Sequence, residues 1–246
     1  MNRFLRMGLA GITFLGLAAG SNQASAGIGD VIEGFQEALG GKNSLSEGEI
    51  SAGLKEALLI GTSHAVEKTG RSGGYLNNPE IRIPLPVQVA KSEKLLRFAG
   101  YGAQVDAFSE SLNRAAENAA PLARDLFAQA IREMSIADAR RIWSGNDTAA
   151  TDYFRRATGD RLQQTFTPVV HDSLAGVGAT RQFQELDNSL KGLPFGESLA
   201  FDLDGYVTEG ALKGLFMMLA EEERQIRRNP TARTTELLQK VFGGAD

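Results

Sequence analysis

From Ser46 to Thr69 the chain reads SEGEISAGLKEALLIGTSHAVEKT, with Ile50, Leu54, Ala57, Leu58, Gly61 and Ala65 at spacings of three and four. That period lays a small, apolar stripe along one face of a helix and predicts an amphipathic α-helix. Ser46 and Glu49 have the spacing of a capping box, and Gly70 stands where such a helix stops. A second helical pattern runs from about Pro86 to Ala99 and is broken by Gly100-Tyr101-Gly102. A third runs from Ala103 to Met134 through Val105, Phe108, Leu112, Ala115, Ala119, Leu122, Leu126 and Ile131, with Pro121 placed to kink or split it.

The same periodicity continues toward the C-terminus. Ser135 caps the short segment SIADARRIW, which Gly145 ends. Asp147 to Leu174 is predicted helical with an interruption near Gly159 or Pro168, and Thr180 to Leu190 is amphipathic. Gly192 to Gly196 reads as a loop. From Asp202 the chain passes through ALKGLFMMLA, apolar nearly all round and therefore the expected innermost helix. Asn229-Pro230 is the start signal of a terminal helix ending at Gly243. Only residues 75–86 break the helical rhythm: Ile81, Ile83 and Leu85 alternate with Arg82, Pro84 and Pro86. Two prolines remove ladder donors, so the segment predicts an extended arm laid across helices, with a lone edge strand as the alternative. The fold class expected is all-α, about eight or nine helices in one domain.

The first 26 residues belong to a different pattern. Arg3 and Arg6 precede an apolar run from Met7 to Gly20, and Ala24-Ser25-Ala26 stands before Gly27. A positive start, a short apolar stretch and a small-x-small site are the features of a secretory signal cleaved near Ala26-Gly27. The run is 14 residues long and carries four glycines, whereas a spanning helix needs roughly 20 apolar residues. The expectation is a signal peptide over 1–26, a single helical domain over 27–246, a periplasmic or secreted location and no membrane anchor in the mature chain.

Composition adds two limits. Removing residues 1–26 leaves 24 basic and 30 acidic side chains, a formal charge of -6, which disfavours nucleic acid as a partner. The chain has no cysteine, so stability after export rests on a core.

Familiar chemical motifs fail on inspection. Gly70-Arg71-Ser72-Gly73-Gly74 has the letters of a nucleophile elbow but follows a helix and precedes a proline arm. The two histidines, His64 and His171, lack zinc-site companions, so no metal or cofactor is expected. Asp202-Leu203-Asp204-Gly205 places its glycine fourth, where a calcium loop has it sixth. Arg224, Arg227, Arg228 and Arg233 follow Glu221, Glu222 and Glu223 at ion-pair spacing, which reads as a solvated, salt-bridged face.

Two polar stretches are less ordinary. Asn113, Arg114, Glu117 and Asn118 form a ridge beside the apolar stripe of an alanine-rich helix. In SGNDTAATDYFRRATGDR, Asn146 or Asp147 caps a helix and Asp152 and Arg156 form an exposed pair. Asp147, Thr148, Thr151 and Arg155 remain as an edge that helix rules do not require. If the ridge is buried, its groups need partners, and this edge and the C-terminal arginines are the chemically suitable ones. Arg82, Asn113, Arg114, Glu117, Asp147, Thr148, Thr151 and Arg155 are therefore the candidate ligand-binding residues. No residue is assigned as catalytic.

Four blocks, NNPEIRIPLP, NRAAENAAPLARDLFAQAI, SGNDTAATDYFRRAT and YVTEGALKGLFMMLAEEERQIRRNPTARTTELLQKVFG, give the chain a family likeness in this order. It resembles the bacterial family catalogued as domain of unknown function 4197, a group of exported proteins. The resemblance implies one exported helical domain and brings no catalytic residue set with it. The leading expectation is a non-catalytic envelope module that binds a protein or small ligand in a groove between helices. One alternative is a hydrolase or lyase whose carboxylate and arginine centre is drawn from the candidate residues and Asp152. The other is an apolar ligand or lipid binder using Leu215, Phe216, Met217 and Met218.

Overall fold

A computed structural model describes residues 46–176, 178–192 and 201–229, with positions 231 and 239, all within the compact unit Leu45–Asp246. Eight α-helices lie among the described residues, and no strand does. They are α1 (Glu47–Gly70), α2 (Val87–Phe98), α3 (Gly102–Ala119), α4 (Ala123–Glu133), α5 (Ile136–Trp143), α6 (Ala149–Gly176), α7 (Ala179–Lys191) and α8 (Leu203–Arg228). The all-α expectation holds. The signal segment, the loop from 193 to 196 and most of the expected terminal helix lie outside the described residues.

Local signals explain most boundaries. The Ser46 hydroxyl accepts from the Glu49 N–H at 3.2 Å while the Glu49 carboxylate accepts from the Ser46 N–H at 3.0 Å, closing the capping box of α1. Ser135 caps α5 through the Asp138 N–H, and Asp202 caps α8 through the Gly205 N–H. Pro121 splits the long third pattern: Ala120–Leu122 is a 3-10 turn between α3 and α4. By contrast, α6 runs unbroken through Gly159 and Pro168, where an interruption was expected. Pro168 is exposed, so the Gln164 carbonyl that loses its donor lies at a solvated face. Phe166 and Val170 are buried on either side of it and hold both turns in line.

α8 is the axis of the unit and packs along α6, α1 and α3. Its buried face contains Val207, Ala211, Leu215, Phe216, Leu219 and Ile226, while Lys213 and Met217 of the expected all-apolar stretch are exposed. Phe127 of α4 meets Phe154 of α6 and Phe216 of α8 edge-on at 5.1 and 6.2 Å, fixing three helices at one point of the core.

The arm is extended over only part of its expected length. Turns occupy Gly73 to Asn77 and Pro79 to Ile81, and the stretch from Arg82 to Pro86 has no regular structure. It lies between α3 and α8. Tyr75 is fully buried and donates its hydroxyl to the Ala211 carbonyl at 2.6 Å. Ile81 and Tyr75 sit over Gly214, and Ile83 sits over Gly210. The two α8 glycines are thus the floor on which the arm rests.

This packing separates two glycines of similar helical setting. A Cβ at Gly214 collides with the Tyr75 ring and comes within 3.1 Å of Ile81, whereas a Cβ at Gly159 meets nothing. Gly214→Ala is expected to destabilise the fold by about 2 kcal/mol or more through overpacking. Gly159→Ala is expected to stabilise it by about 0.5–1 kcal/mol through helix propensity. Denaturant melts of the two variants test the opposite signs.

Candidate functional site

The polar ridge on α3 faces the arm. Asn113 is fully buried; its side-chain oxygen accepts the Ile83 N–H at 2.8 Å, and its amide donates to the Ile83 carbonyl at 3.0 Å and the Ser109 carbonyl at 2.9 Å. One side chain thereby gives the arm the paired donor and acceptor that a neighbouring strand would supply. Glu117, also buried, accepts the N–H groups of Gly73 at 3.1 Å, Tyr75 at 3.1 Å and Leu76 at 3.1 Å. Gly73 adopts φ +77°, a conformation that favours glycine, as the turn passes over the carboxylate. Arg82 donates to the Ser109 hydroxyl at 3.2 Å. Arg114 lies on the outer side of α3 in an ion pair with Glu110.

A second polar centre joins α5, α6 and α8. The Glu223 carboxylate of α8 accepts the N–H groups of Ala150 and Thr151 and the Thr151 hydroxyl, each at 2.9 Å. These are free donors in the first turn of α6, so a carboxylate from 72 or more residues away caps that helix. Arg227 closes the arrangement. It pairs with Glu223 at 2.9 Å and donates to the Ile142 carbonyl at 2.7 Å and the Trp143 carbonyl at 3.4 Å, at the C-terminal end of α5. Glu223 is buried and Arg227 largely so, with side-chain exposures of 6% and 11%. Asn146 makes a smaller local cap, accepting the Thr148 N–H at 3.0 Å. Asp147 pairs with Arg228, and the Thr148 hydroxyl approaches Asn146 and Asp152.

The third arrangement is an open groove of about 900 Å³ between α6 and α8, bordered on α6 by Arg155, Gly159, Asp160 and Gln163. Its other wall carries Phe201, Tyr206, Glu209, Leu212, Lys213 and Phe216. The Arg155 guanidinium stands 4.8 Å above the centre of the Phe216 ring, within cation–π range. Neither Arg155 nor Lys213 forms an ion pair with a described residue. Phe183, Phe201 and Tyr206 form an edge-to-face series at 5.5 and 5.6 Å that stiffens the far end. Beyond it, His171 of α6 meets the Asp204 carboxylate at 2.7 Å.

The eight candidate residues therefore separate. Arg82, Asn113 and Glu117 hold the arm; Asp147, Thr148 and Thr151 belong to the α5–α6 junction; Arg155 lines the groove; Arg114 stands apart. The ridge finds its partners in the arm backbone rather than in the 144–161 stretch or the C-terminal arginines. Glu222 and Glu223 depart from the solvated face expected of them: both are buried, and Glu222 accepts from Lys68 at 2.5 Å and contacts His64 at 3.3 Å. The signal was present in the spacing, because Leu215, Leu219, Glu223 and Ile226 lie on one helical stripe. Among the described residues no group of three His, Asp or Glu side chains stands together as metal ligands, and no helix is long and apolar enough to cross a membrane.

Removing the buried cap is expected to be costly. Glu223→Ala leaves two backbone donors unpaired and takes from Arg227 its carboxylate partner, and should destabilise the fold by about 3–5 kcal/mol, with Glu223→Gln intermediate, in chemical denaturation. At the end of the groove, Asp204 raises the His171 pKa above the ordinary histidine value through its hydrogen bond and its charge. Because the folded value is raised, this ion pair is fully formed below the ordinary histidine range and is lost as pH rises through the raised one. An NMR titration is expected to place His171 above an unperturbed histidine, and Asp204→Asn to remove the elevation.

No curated protein and no solved structure matches the chain. A family model does match, over residues 44–243. That span covers every described helix, the arm and all three polar arrangements, and the chain belongs to the family described as Protein of unknown function (DUF4197).

Proposed function

We propose that this protein is an exported, non-catalytic binding module of the cell envelope, and that the α6–α8 groove receives an extended peptide segment of its partner. The observation that carries the reading is Arg155, held over Phe216 in a groove of about 900 Å³ and in no ion pair with a described residue. The secretory pattern of the first 26 residues supports export. The buried carboxylates Glu117 and Glu223 support a non-catalytic role, because backbone donors occupy both as acceptors.

The groove has direction. α6 and α8 run antiparallel, with Ala150 near Glu223 at one end and His171 near Asp204 at the other. Arg155, Lys213 and Phe216 therefore make a cationic, aromatic end, and Tyr206 and Phe201 make a second aromatic end bordered by the carboxylates of Asp160, Asp202 and Glu209. The eight helical steps from Arg155 to Gln163 rise about 12 Å along α6, the length of three or four extended residues. A segment with an acidic group at one end and an apolar or aromatic side chain at the other fits this distribution. The stacked arginine loses little freedom when it engages a carboxylate, which favours binding.

Selection of displayed peptides against the protein tests the proposal. Enriched sequences are expected to combine an acidic residue with an aromatic one, and the double variant R155E/K213E should bind them at least about tenfold more weakly, a difference of about 1.4 kcal/mol. Both side chains are exposed, so thermal stability should be unchanged. Peptides that bind the double variant as tightly as the original would remove the groove as the site.

A further inference from the structure

α2 carries apolar side chains on two opposite faces. Val89 and Leu96 are fully buried against the unit. On the other side Val87 is 62% exposed, Phe98 92% and Leu95 38%. Val87, Lys91, Lys94, Leu95 and Phe98 stand at positions i, i+4, i+7, i+8 and i+11, which one helical face brings together within about 100°.

The charges on this helix are sorted. Arg97 is engaged by Glu93 at 2.8 Å and by Asp106 at 2.6 Å on the flank. Lys91 and Lys94 form no ion pair with a described residue, and no acid lies on the outer stripe. An exposed aromatic and two aliphatic side chains interleaved with unpaired lysines have the chemistry of a short interfacial helix. Its apolar groups enter the boundary of a bilayer while the lysine stems extend to anionic headgroups.

We infer that the outer face of α2 docks this protein on an anionic phospholipid surface. Charge complementarity selects that occupant. A symmetric contact with a second copy would bring Lys91 and Lys94 of both chains into one interface, where like charges repel. Three apolar side chains also fall well short of the roughly 800 Å² per partner that a stable dimer buries. The formal charge of -6 that remains after removal of residues 1–26 adds no general attraction to an anionic surface, so attachment depends on this local face. It is peripheral, reversible and weakened by salt. This face is independent of the α6–α8 groove, so failure of one proposal leaves the other standing.

The absence of cysteine allows a single labelled position to report on the contact. The exported form from Gly27, carrying Phe98→Cys, is labelled with an environment-sensitive fluorophore and mixed with vesicles of phosphatidylcholine, with or without about 30% phosphatidylglycerol. The expected result is a blue shift with the anionic vesicles alone, reversed by high salt and reduced at least about fivefold when K91E/K94E is added to the labelled chain. A label at exposed Arg124→Cys controls for adsorption elsewhere on the chain and should not respond. Circular dichroism confirms that each labelled chain remains folded. No shift at position 98, an equal shift with neutral vesicles, an equal shift at position 124, or a shift indifferent to the lysine changes overturns the inference. Concentration-dependent self-association of the unlabelled chain that Phe98→Ser abolishes overturns it in favour of a second copy.

Discussion

Glu223 and Arg227 form one ion pair with two helix ends around it, and the arrangement of α5, α6 and α8 depends on that pair. The orphan carbonyls of α5 are negative and meet the guanidinium; the orphan N–H groups of α6 are positive and meet the carboxylate. A buried ion pair is a weak source of stability when its charges satisfy only one another, because desolvation offsets the attraction. Here the charges also replace the water that both helix ends would otherwise need. The connection between α5 and α6 can therefore be short and pressed against α8.

The arm poses the same problem without a helix. A segment of turns and prolines buried between two helices exposes backbone groups that no ladder satisfies. α3 answers with Asn113 and Glu117 one turn apart, and α8 answers with glycines that let the arm approach. The helix stripe supplies polarity where backbone must be paired and small size where it must be close. Both partners act on residues 73–83, so the position of α3 relative to α8 is set through the arm as well as by direct packing.

Helices were legible because their signals are local. Capping boxes, periodic stripes and Pro121 each act within a few residues, and the observed elements follow them closely. Pro168 misled because its cost depends on where its face of the helix ends up, and solvent exposure is decided by the rest of the fold. The polar partners were not legible for a related reason. Glu223 stands four residues before Arg227, which satisfies a local rule completely, yet its other oxygen reaches back to Thr151. An ion pair that spacing already explains hides a tertiary one. The stripe containing Leu219, Glu223 and Ile226 was the available clue, since an acid at a core position must have a distant partner.

This distribution of polar groups separates structure from recognition. Asn113, Glu117, Thr151 and Glu223 are buried, and each meets backbone donors or another buried side chain, so a ligand gains nothing from them without dismantling the fold. Arg155 and Lys213 are exposed and engaged by no described acid, and the aromatic rings beside them are held by one another. A side chain whose partners are complete serves the fold, whereas one held in position but still lacking a counter-ion is prepared for something outside it. Of the eight sequence candidates Arg155 is the one that borders the proposed recognition groove, and the groove residues around it, which local helix rules do not single out, complete that proposed surface.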